Sequence, residues 1–217
     1  MGSGFARMRN DVDMVTAVGK VRRRLQDAQE SVVMVRVCRH SDPEMVSGFV
    51  VDIGRKWVLL VRTMDGGFTD GHIAIRLSDI RKVSKDTSFE GRFARTLPDW
   101  PPRAPHEEPI DLDRTRGLLR SFGTPGALVG IESTHRTSST WIGIPNDIVG
   151  RWFYLWEVRP DASWHEQPLG YRLRKIVMVY SGSHYLRGLA AVAGEPPAGA
   201  EDWSEVAVRG RHGEMEP

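Results

Sequence analysis

The chain has 217 residues, 40% hydrophobic and 27% charged, which is the composition of a globular fold; at roughly 100–200 residues per domain it holds one domain or two small ones. The formal net charge of +2 is uneven: residues 1–97 carry 17 Lys and Arg against 12 Asp and Glu, whereas residues 98–217 carry 13 against 16. An excess of that size does not demand a nucleic-acid partner. A lone Cys38 excludes an intramolecular disulfide framework, and no apolar run approaches the ~20 residues of a membrane span.

The first ten or so residues carry no pattern, and Met8 and Met14 are alternative starts. No basic segment followed by an apolar stretch opens the chain, so a cytoplasmic location without membrane contact is expected. In Val12–Ala28 the residues Val15, Val18, Val21 and Leu25 recur every three or four positions, which predicts a one-sided helix with Arg22, Arg23 and Arg24 on its wet side. Val32–Arg39 is β-branched and apolar, a strand in which Cys38 reads as a small buried hydrophobe. Met45–Ile53 is a second strand, with Gly48 allowing a sharp bend. Trp57–Thr63 is a near-continuous apolar strand, and Asp65-Gly66-Gly67 marks a hairpin. His72–Leu77 alternates, and Ser78-Asp79-Ile80 is a tight turn before a short strand through Val83. Phe89 and Phe93 suit a short closing helix.

Leu97–Pro109 reads LPDWPPRAPHEEP, a linker whose prolines keep it out of a sheet or helix interior. Beyond it, Asp111–Phe122 predicts a helix with an acidic first turn, ended by Gly123. The strands Leu128–Ser133, Thr140–Ile148, Trp152–Val158 and Tyr171–Val179 follow, with Arg159–Gln167 as a longer polar loop and Tyr185 and Leu189 on a last helix. From Ala193 the chain is rich in Pro, Gly and polar residues, and is expected to be disordered, with Trp203, Val206 and Val208 as its docking residues.

The two pieces repeat each other. Gly48, Ile53, Lys56, Trp57 and Leu60 recur at a spacing of 95 as Gly143, Ile148, Arg151, Trp152 and Leu155. Past the hairpin the spacing becomes 96, where Ile80, Val83, Phe89 and Phe93 match Ile176, Val179, Tyr185 and Leu189. A helix followed by five short, bent strands implies a small open barrel. The expected fold is therefore mainly β with short helices: two tandem small barrels of the Sm-like or SH3-like kind, at 12–96 and 110–192, joined by the 97–109 linker and followed by a 193–217 tail.

This element order, with the Gly-strand-Trp-strand pattern and "IRLSDIRKV" at Ile75–Val83, resembles the Sm-like family of Sm, Lsm and bacterial host-factor proteins. The resemblance implies rings built by pairing edge strands, and RNA bases held at loops. The Asp and Asn of the family's first motif fall here on Gly54 and Val58, and on Val149 and Phe153. The basic-Gly pair of its second motif is missing after Ile80 and after Ile176. The base-reading residues are thus absent from both copies in this alignment.

Candidate nucleic-acid contacts are Arg55, Lys56 and Trp57, the equivalent Arg151 and Trp152, and Arg81 and Lys82 after the tight turn. A cation beside an aromatic face grips phosphate and stacks a base; the competing reading makes the tryptophans core residues and the cations solvated turn residues. Arg7, Arg9, Lys20 and Arg22–Arg24 are a basic arm or the wet face of a helix. Trp164, in its loop, is expected to be exposed and to favour an interface. Histidine spacing points to no metal site, no catalytic constellation is legible, and no cofactor is expected. The reading is a non-enzymatic interaction or scaffold protein that associates with itself or a protein partner through barrel edges. The alternative is an RNA-binding regulator using the basic first half.

Overall fold

A computed structural model describes residues 18–124, 126–134 and 136–197. Met8, Met14, Arg7, Arg9, Trp203, Val206 and Val208 lie outside them. Helix α1 (18–30) buries Val21, Leu25 and Ala28, spaced to share one face, while Arg23 and Arg24 stay in solvent. Ten strands follow: β1 (Met34–Arg39), β2 (Val46–Ile53), β3 (Trp57–Thr63), β4 (Thr69–Arg76), β5 (Ile80–Lys85), β6 (Val129–Ser133), β7 (Arg136–Val149), β8 (Trp152–Glu157), β9 (Leu169–Arg172) and β10 (Ile176–Ser181). Helix α2 (Phe89–Phe93) follows β5, α3 (Thr115–Ser121) precedes β6, and α4 (His184–Ala193) follows β10. No described helix is long and apolar enough to cross a membrane.

All ten strands are antiparallel neighbours in one sheet, ordered β5-β1-β2-β3-β4-β10-β6-β7-β8-β9. The first five strands and the last five take the same order. The repeat in the sequence is a repeat in register. Gly48 opposes Arg62 and Phe49 opposes Val61, then a bulge between Val50 and Asp52 brings Asp52 opposite Leu59. The same bulge, 95 residues on, lies between Pro145 and Asp147, after Gly143 opposite Glu157 and Ile144 opposite Trp156. Gly48 and Gly143 permit this bend by close approach: a Cβ on them would stand 2.3 Å from the Val61 carbonyl oxygen and 2.2 Å from that of Trp156.

The halves are one sheet because β10 pairs with β4, setting Met178 opposite Ile75, Val179 opposite Ala74 and Tyr180 opposite Ile73. Strand β3 is consequently covered on both faces. Val58 and Leu60 pack with Val21 and Leu25 of α1, whereas Trp57 and Leu59 pack with Leu118 and Leu119 of α3.

The expected helix over Asp111–Phe122 starts only at Thr115. Its acidic residues lie ahead of it because Asp111 Oδ1 accepts the backbone N–H groups of Asp113 and Arg114, which holds that stretch in a turn. The 97–109 linker has no regular structure, yet it is pinned. Trp100 meets Phe49 edge to face at 5.3 Å, and the His72 ring lies 2.8 Å from the Arg103 carbonyl oxygen. Trp164, expected to be exposed, is half-buried against the core, with its indole N–H donated to the Ala193 carbonyl.

Candidate functional site

The predicted residues fall at two equivalent turns and one sheet edge. At the turn between β2 and β3, the backbone N–H groups of Lys56 and Trp57 both reach the Leu112 carbonyl, at 3.2 and 3.0 Å. The backbone N–H and the Nε of Arg55 donate to the Asp113 carboxylate at 2.7 and 2.9 Å. That N–H, with the Arg55 charge, outweighs desolvation and holds the Asp113 carboxyl below its usual range. Gly54 leaves room for this contact, since a Cβ there would stand 2.3 Å from that of Leu112. The segment ahead of α3 therefore roofs the first half's turn.

Under that roof Trp57 is fully buried. It is a core residue, not a surface for stacking bases, and its indole N–H has no hydrogen-bond partner among the described residues. Arg76 lies 4.9 Å from its ring centroid. The Arg76 guanidinium is spent on the second half: Nε donates to the Ile176 carbonyl at 2.9 Å, and Nη2 reaches the Leu173 carbonyl at 3.0 Å and the Thr115 hydroxyl at 3.2 Å. No local sequence signal marks Arg76, whose partners lie 39, 97 and 100 residues away.

The turn between β7 and β8 has the same frame and, among the described residues, no roof. Arg172 lies 5.0 Å from the Trp152 ring centroid, as Arg76 does from Trp57. The Leu173 N–H donates to the Arg151 carbonyl at 3.0 Å, as Leu77 does to Lys56 at 2.9 Å. Arg116 of α3 donates to the Gly150 carbonyl, as Arg22 of α1 does to Arg55. Here, however, Trp152 is 39% exposed, with Arg151, Arg172 and Arg174 in solvent beside it. These residues with Gly150 and Leu173 line an open cleft of about 400 Å³.

Arg81 and Lys82 lie on β5, at the opposite end of the sheet from Trp152 on β8. Both are exposed, and Arg81 Nη2 lies 2.9 Å from the Cys38 sulfur. The seven predicted residues therefore form no single site. Arg55, Lys56 and Trp57 belong to the joint between halves, Arg81 and Lys82 to one free edge, and Arg151 and Trp152 to the region of the other.

A charged cluster that sequence reasoning missed lies between the halves. Buried Arg39 of β1 donates to Glu132 of β6 at 2.6 Å and lies 3.6 Å from Asp42, with its Nε unpartnered among the described residues. Burial raises the Glu132 carboxyl despite the Arg39 bond, and burial with the Glu132 charge pushes the Tyr180 hydroxyl up to about 12. Arg39 and Glu132 are 93 residues apart, so nothing in either local segment links them.

No family model, curated protein or solved structure matches the chain.

Proposed function

We propose that the chain is a non-enzymatic interaction protein that assembles head to tail through its two free sheet edges, each half being an Sm-like small barrel within 12–96 or 110–192. The observation that supports this reading is the β4·β10 pairing. It lays the fifth strand of one repeat on the fourth strand of the other. It leaves a fifth strand, β5, and a fourth strand, β9, as the ends of the sheet. An unpaired edge is a template for another chain. The same pairing between copies, shifted by the 96-residue repeat, sets Lys82 opposite Tyr171, Val83 opposite Gly170 and Ser84 opposite Leu169. Three chains then supply the six repeats of a closed ring, as the family resemblance suggests.

Both edges carry exposed cations: Arg81, Lys82 and Lys85 on β5, and Arg172 with Arg174 at the end of β9. Like charges along β5 guard that edge against indiscriminate pairing. The same cations, with exposed Trp152, favour a second reading, an RNA-binding regulator that stacks bases on Trp152.

One experiment separates the readings. The Ser84→Cys, Leu169→Cys double variant is oxidised, run on a non-reducing gel, and sized by light scattering with absorbance at 260 and 280 nm. Head-to-tail pairing gives interchain disulfides ending at a trimer and assembly that survives high salt. Monomers without cross-links reject the assembly. Nucleic acid that co-purifies and is lost as salt rises supports the RNA reading instead.

A further inference from the structure

We infer that Arg172, stacked on Trp152, is a clasp for a second copy of this chain, gripping the Leu77 and Ile80 carbonyl oxygens at the start of that copy's β5. The inference rests on the head-to-tail reading above and names the side chain that makes its contact specific.

The argument starts from Arg76. Inside the chain this residue stacks on Trp57 and donates to the carbonyls of Leu173 and Ile176, which bracket the tight turn leading into β10. Its donors are thus aimed across the joint at the strand that pairs with β4. A planar guanidinium suits this task, because it holds two acceptors at once while its face lies on an indole. Arg172 is the same residue one repeat later, on the same stacking ring, at the same step of a 3-10 turn. The counterparts of Leu173 and Ile176, 96 residues earlier, are Leu77 and Ile80. They bracket the turn into β5, which ends the described sheet. The described sheet therefore carries a preset donor at one edge and the matching carbonyls at the other, of which Leu77's also accepts the Ile80 N–H.

The surfaces around the two joints differ in a matched way. Helices α1 and α3 align at a spacing of 94: Val21, Leu25 and Ala28 stand for Thr115, Leu119 and Phe122, all buried. On that alignment the Arg55–Asp113 ion pair is replaced on both sides, by Gly150 and by Gly19. Gly19 is exposed on α1, with nothing within 4 Å of where its Cβ would be. Glycine inside an exposed helix is unfavourable relative to alanine. On that alignment the described α1 begins three residues nearer its N-terminus than α3 does. A second copy's longer helix needs room over the turn, and glycine on both surfaces leaves it. The 400 Å³ cleft beside Gly150 and Trp152 is the corresponding open space.

Sedimentation velocity over a concentration series tests this, on the full chain and its Arg172→Ala and Arg172→Lys variants, each also melted by circular dichroism. Arg172→Ala is expected to weaken self-association about tenfold or more, the loss typical of charge-assisted hydrogen bonds. Arg172→Lys restores little of it, because an ammonium does not reproduce the flat fork. Neither changes the melting of the monomer. Association of Arg172→Ala as tight as that of the unaltered chain overturns the clasp, and so does a monomer melt that falls with it, which would place Arg172 in the fold of its own copy. If Ser84–Leu169 cross-links form while Arg172→Ala associates normally, the clasp alone fails. An unaltered chain that stays monomeric throughout overturns the clasp and the head-to-tail reading together.

Discussion

The turn at 54–57 and the turn at 149–152 are one device in two states of cover. Their strands share a register, a bulge and a stacked arginine. Yet Trp57 is fully buried and Trp152 is 39% exposed. The strand that carries the tryptophan does not decide its burial. What decides it is the segment at 110–113, which the second half lays over the first, and which has no equivalent over the second among the described residues. Arg76 shows the same dependence: it spends its donors on the second half, whereas Arg172 remains exposed. Repetition therefore makes one covered joint and, among the described residues, two uncovered sheet ends.

The comparison breaks most visibly at the tryptophans. Trp57→Ala empties a packed site and is expected to cost about 3–5 kcal/mol of stability, whereas Trp152→Ala costs less than about 1 kcal/mol at an exposed position. Urea unfolding of the two variants checks this. Equal losses would mean that Trp152 is as well covered in solution as Trp57.

Much of this fold was legible in the sequence because its signals are local. The 95-residue spacing from Gly48 to Trp57 survives as strand register, since the bend and the bulge need glycine and apolar residues at set positions. The 96-residue spacing survives in β9, β10 and their tight turn. What was not legible lies between distant segments. The alternation of His72–Leu77 says nothing of what lies beside it, and β4 is internal because β10 pairs with it. Trp57 reads as a base-stacking candidate until Leu112 and Asp113 cover its turn. Arg39 and Glu132 are unremarkable in their own strands and meet only when the sheets join. Pairing between strands from different repeats leaves no periodicity to read.

Asp70 sharpens the comparison through pH. It sits on β4 and reaches over the joint, accepting the His184 backbone N–H at 2.8 Å, with the His184 ring at 3.1 Å and Arg62 at 3.7 Å. Its counterpart one repeat later, Glu166, is exposed in a loop. Desolvation alone would raise the Asp70 carboxyl, but the His184 bonds and the Arg62 charge outweigh it and hold it below its ordinary value. A carboxyl held low stabilises the fold above its unfolded-state value near pH ~4, and loses that contribution as pH falls through the folded value. Asp70→Asn is therefore expected to cost roughly 1–2 kcal/mol at neutral pH, a typical charged hydrogen-bond loss, with the gap to the unaltered chain closing under acid. Denaturant midpoints across a pH series read this directly. A gap that does not vary with pH would mean that Asp70 acts by packing and not by charge. Glu166→Gln serves as the control, with an effect within about 0.5 kcal/mol at any pH.

The smallest effect bears on the free edge itself. Arg24 of α1 donates to the Val83 carbonyl of β5 at 3.2 Å. The counterpart of Val83 in the finished joint is Val179, which lies opposite Ala74 across β4·β10. At β5 an arginine from the chain's own helix thus occupies an acceptor beside which a neighbouring strand would lie. A charged side chain there protects an edge from indiscriminate pairing. Removing it leaves the core untouched, so Arg24→Ala is expected to change monomer stability by no more than about 0.5 kcal/mol. Self-association should instead tighten by about two- to fivefold, a fraction of one hydrogen bond's net worth, because an incoming strand no longer displaces a bonded arginine. Sedimentation of the two chains side by side reads the difference. Weaker association in Arg24→Ala would reverse the assignment and make Arg24 part of the contact; in either case β5 is engaged, and only an unchanged association leaves Arg24 without a part in it.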